Sequence, residues 1–208
     1  MGFKKNKYKV IRNAISTDMA NFIYGYSHIK KRVVKKLFDS KYLPPFEEML
    51  GHWNDRQIPD TYVCYADLVM ETLLEKVRPL MEKETGLKLY PTYSYYRMYK
   101  TGDILSRHKD RFSCEISATM FIGGDMWDIF LEPSGKVNRK GVKVKLKPGD
   151  LLIYRGCDLE HWREPFQGKW CCQVFLHYND ASSKNAEQNK YDTREFVGLP
   201  SWFKKRFI

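Results

Sequence analysis

Tyr99-Lys100-Thr101-Gly102-Asp103-Ile104-Leu105-Ser106-Arg107-His108-Lys109-Asp110 is the stretch that decides how this chain reads. The turn Thr101-Gly102-Asp103 closes a Tyr-rich alternating run, Leu87 to Lys100, that reads as a strand. Beyond the turn stand His108 and Asp110. Side chains at that spacing share one side of an extended segment. A further histidine, His161, follows a later strand-like run. Two imidazoles and one carboxylate on one face leave three positions open on an octahedral metal. His-x-Asp alone occurs by chance in many proteins, so its surroundings decide its weight.

Downstream, Glu115 to Ile122, Trp127 to Glu132, Val142 to Leu146, Asp150 to Tyr154 and Trp170 to Tyr178 read as short strands. Gly123-Gly124-Asp125, Pro133-Ser134-Gly135 and Pro148-Gly149-Asp150 separate them as turns. Strands at this spacing without intervening helices imply an antiparallel sandwich or jelly roll. Upstream the texture is helical. Thr17 or Asp18 caps a first helix whose expected core stripe is Phe22, Tyr26, Ile29, Val33 and Leu37. A second helix is expected over Asp60 to Glu84, with Tyr62, Tyr65, Val69, Leu73, Val77 and Leu80 as its stripe and Gly86 as its stop. The expected fold class is therefore α+β in one domain, residues 1–208. Residues 1–86 form a helical support packed on one sheet, 87–180 a jelly-roll core, and 181–208 a polar tail docked by Trp202 and Phe203.

The chain has 208 residues, with 36 basic against 25 acidic side chains and a net charge of +11. The basic residues fall in scattered runs such as Lys30-Lys31-Arg32 and Lys35-Lys36, which read as a solvated surface. Nucleic acid is the weaker reading of that charge, since no nucleic-acid motif accompanies it. The start of the chain has no apolar stretch typical of a secretory signal, and no run of apolar residues is long enough to span a membrane. The five cysteines form no CxxC pair and read as reduced thiols, so a cytoplasmic location without membrane or zinc is expected.

With these strands in place, the run from Tyr99 through Gly102-Asp103 to His108-Lys109-Asp110-Arg111 resembles the first motif of Fe(II)/2-oxoglutarate-dependent dioxygenases, in particular the prolyl and lysyl hydroxylase-like branch. Lys147-Pro148-Gly149-Asp150 through Tyr154 to His161 resembles the strand that delivers the distal ligand in that family. The resemblance covers roughly residues 90 to 180. It implies a double-stranded β-helix (a cupin-like jelly roll), and Fe(II) held by His108, Asp110 and His161. It also implies 2-oxoglutarate as cosubstrate and O2 as oxidant. The implied reaction hydroxylates an unactivated C–H bond of a peptidyl (prolyl) or small-molecule substrate, with release of succinate and CO2. A tyrosine that hydrogen-bonds the cosubstrate corresponds to Tyr99.

The same resemblance implies a cation for the far carboxylate of 2-oxoglutarate, nine or ten residues after the distal histidine. Those positions are Trp170 and Cys171 here, so the chain departs from the pattern. Three candidates replace it, in the order Arg163, Lys169, Arg111. Arg163 shares the side of His161 if the strand continues. Two other readings stand beside this one: a cupin metal-binding or isomerase module, and a nucleic-acid-modifying oxygenase. Tyr93, Tyr95, Trp127, Trp162 and Trp170 are candidates for a substrate groove. His177 and Cys171 are candidates to face the pocket, whereas His28 and His52 need no role.

Overall fold

Alternation along the Tyr-rich run sorts its side chains onto two faces, and the molecule is organised by that sorting. The computed structural model describes residues 2–45, 47–136 and 139–205. Its elements are α1 (Phe3–Asn6), β1 (Tyr8–Ile11), α2 (Thr17–Asp39), β2 (Tyr62–Tyr65), α3 (Leu68–Thr85), β3 (Leu89–Lys100), β4 (Leu105–His108), β5 (Ile116–Gly124), β6 (Ile129–Leu131), β7 (Val142–Val144), β8 (Leu151–Arg155), β9 (His161–Arg163) and β10 (Trp170–Asp180). The strands form two sheets, β1-β8-β5-β10-β3-β2 and β4-β9-β6-β7. Neighbours such as β3 and β10, or β4 and β9, run antiparallel.

Tyr96 and Met98 of β3 join Val174, Leu176 and Tyr178 of β10 in a core shared with α2 and α3. Tyr99 and Cys171 lie on the opposite face, in a second core with Leu105, Ile129, Leu131 and Tyr154 that fills the space between the sheets. Burial of one such side chain contributes about 1.5–3 kcal/mol. The helices lie against the six-stranded sheet, α2 on β5 and α3 on β3 and β10. The expected helical support on one sheet is present, and Gly86 ends α3 in the left-handed conformation (φ 69°).

The N-terminal part differs from the sequence expectation in four ways. It contributes two edge strands, β1 on β8 and β2 on β3. The run Tyr62-Val63-Cys64-Tyr65 is aromatic and β-branched and pairs with β3, so the second helix starts at Leu68, capped by the Asp67 side chain. The first helix is capped by Ser16, not by Thr17 or Asp18. Its buried face is Ala20, Ile23, Ser27 and Val34, whereas Phe22, Ile29 and Val33 are 72%, 58% and 50% exposed. Small side chains at Ala20 and Ser27 let the helix approach the sheet closely, and this decides the face over hydrophobicity alone.

The tail also docks differently. Trp202 and Phe203 are exposed. Asp192 and Arg194 hold it instead. Asp192 accepts two N–H bonds from Arg111 (2.8 and 2.9 Å), and the fully buried Arg194 donates to Glu71 (3.0 Å) and the Thr92 carbonyl (2.8 Å). Buried charges such as Glu71 are costly unless paired, and the tail supplies the partner.

Candidate metal centre

Strand pairing brings the motif together. His108 ends β4 directly opposite His161, the first residue of β9, and the two rings lie 4.2 Å apart between centroids. Asp110 follows β4 by two residues, and its N–H donates to the Gly156 carbonyl (2.9 Å) at the end of β8. Asp110 Oδ1 then lies 3.6 Å from His108 Nε2 and 3.4 Å from His161 Nε2. All three donor atoms fall within 4.8 Å of one another.

The outer ring nitrogens settle the tautomers. His108 Nδ1 lies 2.7 Å from the Ser106 carbonyl, and His161 Nδ1 lies 3.1 Å from the Leu159 carbonyl. A carbonyl only accepts, so each Nδ1 carries the proton and each Nε2 presents a lone pair inward. The Tyr154 ring packs against His161 with centroids 4.8 Å apart and fixes its plane.

Asp110 is oriented as well. Ser117 Oγ donates to its Oδ2 (2.9 Å), and His177 Nδ1 lies 3.0 Å from the same hydroxyl. The serine proton goes to the carboxylate, so His177 donates to the serine oxygen. Burial pushes the His177 pKa down to about 4 against the opposing charge of Asp110, so this imidazole is neutral. Burial alone would raise the Asp110 pKa, but the two imidazoles beside it, His108 and His161, outweigh it and hold the carboxyl well below its usual range. Burial would lower the His108 pKa, yet the neighbouring Asp110 carboxylate and the Ser106 carbonyl, both of which favour the protonated ring, raise it.

A cavity of about 350 Å³ opens beside the triad, with Gln57, Tyr95, Arg97, Lys109, Phe175 and His177 in its wall. Tyr93 and Tyr95 line it too. The other aromatic candidates have different surroundings. Trp127 packs on Tyr99 (4.8 Å) and Phe166 (5.1 Å), Trp162 stacks on Phe130 (5.3 Å), and Trp170 lies beneath Lys31 (3.7 Å).

The three candidate cations part company. Lys169 is exposed, and its backbone N–H is bound to Asp125. Arg111 lines the mouth of the cavity, committed to Asp192 and Ser113. Arg163 is buried in β9 on the side of His161. Its Nη1 donates to the Trp127 carbonyl, while its Nε and Nη2 have no partner among the described residues. The buried Tyr99 hydroxyl has none either. Burial lowers the Arg163 pKa, partly offset by Cys171 and Tyr99. Cys171 lies in the inter-sheet core, bonded by Gln173.

Sequence reasoning missed Arg97, a buried guanidinium in the cavity wall. It shares the period-two face of Tyr93, Tyr95 and Tyr99 on β3, and that parity was the available signal. It also missed Ser117 and Gly156, which carried no motif.

No family model and no curated protein matches the sequence. The fold does match solved structures. A Pseudomonas putida prolyl-4-hydroxylase is 14% identical and superposes with a TM-score of 0.57 over 86% of this chain and 96% of its own. HygX from Streptomyces hygroscopicus, with nickel and 2-oxoglutarate bound, is 12% identical with a TM-score of 0.59 over 95% and 93%. SnoK, a non-haem α-ketoglutarate-dependent carbocyclase from nogalamycin biosynthesis, is 10% identical with a TM-score of 0.61 over 95% and 90%. The chain shares the fold of these proteins. No described helix is long and apolar enough to cross a membrane.

Proposed function

We propose that this protein is an Fe(II)- and 2-oxoglutarate-dependent oxygenase built on a double-stranded β-helix. The observation that carries this reading is the convergence of His108 Nε2, His161 Nε2 and Asp110 Oδ1, with both outer imidazole nitrogens committed to backbone carbonyls. Two inward lone pairs and an ionised carboxylate call for a cation. Two imidazoles and one carboxylate are the donor set suited to non-haem Fe(II) with positions left open.

Iron and 2-oxoglutarate together supply O2 activation, with release of succinate and CO2 and oxidation of a substrate C–H bond. The chain's own part is geometric and electrostatic. His108, Asp110 and His161 would hold the metal. Ser117, backed by His177, keeps Asp110 Oδ1 turned toward both rings. For the far carboxylate of 2-oxoglutarate, the unpartnered donors Arg163 Nε, Arg163 Nη2 and Tyr99 Oη fit an anion. Arg163 stands two residues beyond His161, about 7 Å along the strand. Cys171 occupies the position where the resemblance expects a cation, and its small thiol lies near the Arg163 charge. On this reading the guanidinium from β9 takes the role that the resemblance places on β10.

We read the substrate as peptidyl or small-molecule, and the reaction as hydroxylation. The cavity wall is aromatic and polar, as in Tyr93, Tyr95, Gln57 and Phe175. An anaerobic Co(II) titration tests the metal assignment. The wild type should bind one ion per chain, and Asp110→Ala should bind none. Undiminished binding in Asp110→Ala would remove the basis of the proposal.

A further inference from the structure

Strand β3 places Arg97 on the cavity face, 2% exposed. A buried guanidinium needs acceptors, and both come from one loop. Arg97 Nη2 lies 2.9 Å from Asp55 Oδ1, and Nη1 donates to Gln57 Oε1 (3.1 Å). Asp55 is itself fixed. It accepts from the Tyr95 hydroxyl (2.5 Å) and from the backbone N–H groups of Gln57 (2.8 Å) and Ile58 (3.1 Å). The loop is therefore fastened to the sheet at the mouth of the cavity.

That fastening dictates which way the Gln57 amide points. Arg97 only donates, so the amide oxygen must face it; a flipped amide would set donor against donor. The amide nitrogen is left facing the triad, 3.5 Å from His108 Nε2. This ring nitrogen is the one whose lone pair faces Asp110 and His161. A metal held by His108 would take up that lone pair, and the Gln57 N–H groups, which line the cavity, would lose it as an acceptor.

We propose that Gln57 is a binding residue for the 2-oxo acid: its side-chain N–H groups hydrogen-bond the carboxylate at the metal end, while Arg163 holds the opposite end. This rests on the iron and 2-oxoglutarate reading above. A carboxylate oxygen beside the metal is the acceptor such a cosubstrate provides, and a bond to a charged acceptor is about twice as strong as a neutral one. Arg97 and Asp55 are positioning residues that act through the amide. Gln57 is exposed to the open cavity and packs in no core, and its replacement leaves Arg97 its ion pair with Asp55.

The test is calorimetric titration of wild type, Gln57→Leu and Gln57→Glu, first with Ni(II) and then with 2-oxoglutarate on the Ni(II)-loaded protein. Ni(II) affinity of Gln57→Leu should stay within about twofold of wild type, and its 2-oxoglutarate affinity should fall about tenfold. Gln57→Glu, which sets carboxylate against carboxylate, should lose about a hundredfold. Arg97→Lys should leave Ni(II) binding in place and weaken 2-oxoglutarate, because the fork that orients the amide is gone. A Gln57→Leu protein that binds 2-oxoglutarate like wild type overturns the proposal. So does one that loses Ni(II) and 2-oxoglutarate affinity in parallel, the signature of a distorted site. If Ni(II)-loaded wild type itself binds no 2-oxoglutarate, the oxygenase reading fails with it.

Discussion

A Cβ on Gly156 would stand 2.3 Å from Asp110 Oδ2, and equally close to the Cys114 carbonyl oxygen. The end of β8 thus forms the seat of the carboxylate, and the Gly156 carbonyl also accepts the Asp110 N–H at 2.9 Å. No side chain fits there without a shift of the Asp110 carboxylate or of the Cys114 backbone.

Gly156→Ala should weaken Co(II) binding by about a hundredfold or more. Ser117→Ala removes the hydrogen bond to Oδ2 together with the link to His177, and should cost about ten- to a hundredfold. Calorimetric titration measures both. Metal affinity unchanged in Gly156→Ala would mean that Asp110 is not seated as described.

Arg163 separates stability from function. Its buried guanidinium leaves Nε and Nη2 without partners, which is unfavourable until an anion arrives. Arg163→Met should therefore leave the thermal midpoint of the ligand-free protein unchanged or raised. It should weaken 2-oxoglutarate binding about a hundredfold or more. Lys169→Ala should leave that affinity unchanged. A fall in stability with intact 2-oxoglutarate binding would make Arg163 a structural residue.

The tail gives a pH dependence of known sign. Burial would raise the Asp192 pKa, but Arg111, Ser113 and Tyr65 outweigh it and hold the carboxyl well below the usual range. The folded state therefore favours the ionised form. Its contribution is complete above the unfolded value, about 3.9, and is lost as pH falls through the folded value. Urea midpoints measured from about pH 6 downward should drop more steeply below about pH 4 in wild type than in Asp192→Asn. Equal acid slopes in the two proteins would exclude this anchor.

The face of α2 makes a simpler contrast. Ile23 is 3% exposed and Phe22 is 72% exposed. Ile23→Ala should cost about 2–5 kcal/mol in chemical denaturation, and Phe22→Ala within about 0.5 kcal/mol. The reverse order would restore the stripe expected from hydrophobicity.

That contrast marks where the sequence was legible. The nearness of His108, Asp110 and His161 was legible from the turns at Gly102-Asp103 and Pro148-Gly149-Asp150, which act locally, although Asp110 lies beyond β4 and is seated by the Gly156 carbonyl rather than by strand alternation. The strand β3 and the stop at Gly86 followed from local signals too. The α2 face did not, because close packing at Ala20 and Ser27 is a property of the sheet beneath. β1 and β2 are four-residue strands inside a helical context, and only pairing with β8 and β3 makes them strands. The Gln57–Arg97 bond joins residues 40 positions apart, and no motif announces it. Arg163 was read from parity with His161. Its two unpaired donors are a fact of packing that only the structure supplies.

The most direct test of the central claim is succinate formation from 2-oxoglutarate by the purified protein with Fe(II) and O2. The account predicts slow, Fe(II)-dependent succinate release by wild type without added substrate. It predicts release at the level of the metal-free control in His108→Ala, Asp110→Ala and His161→Ala. Succinate release by wild type no faster than in the metal-free control, or undiminished in Asp110→Ala, would contradict it.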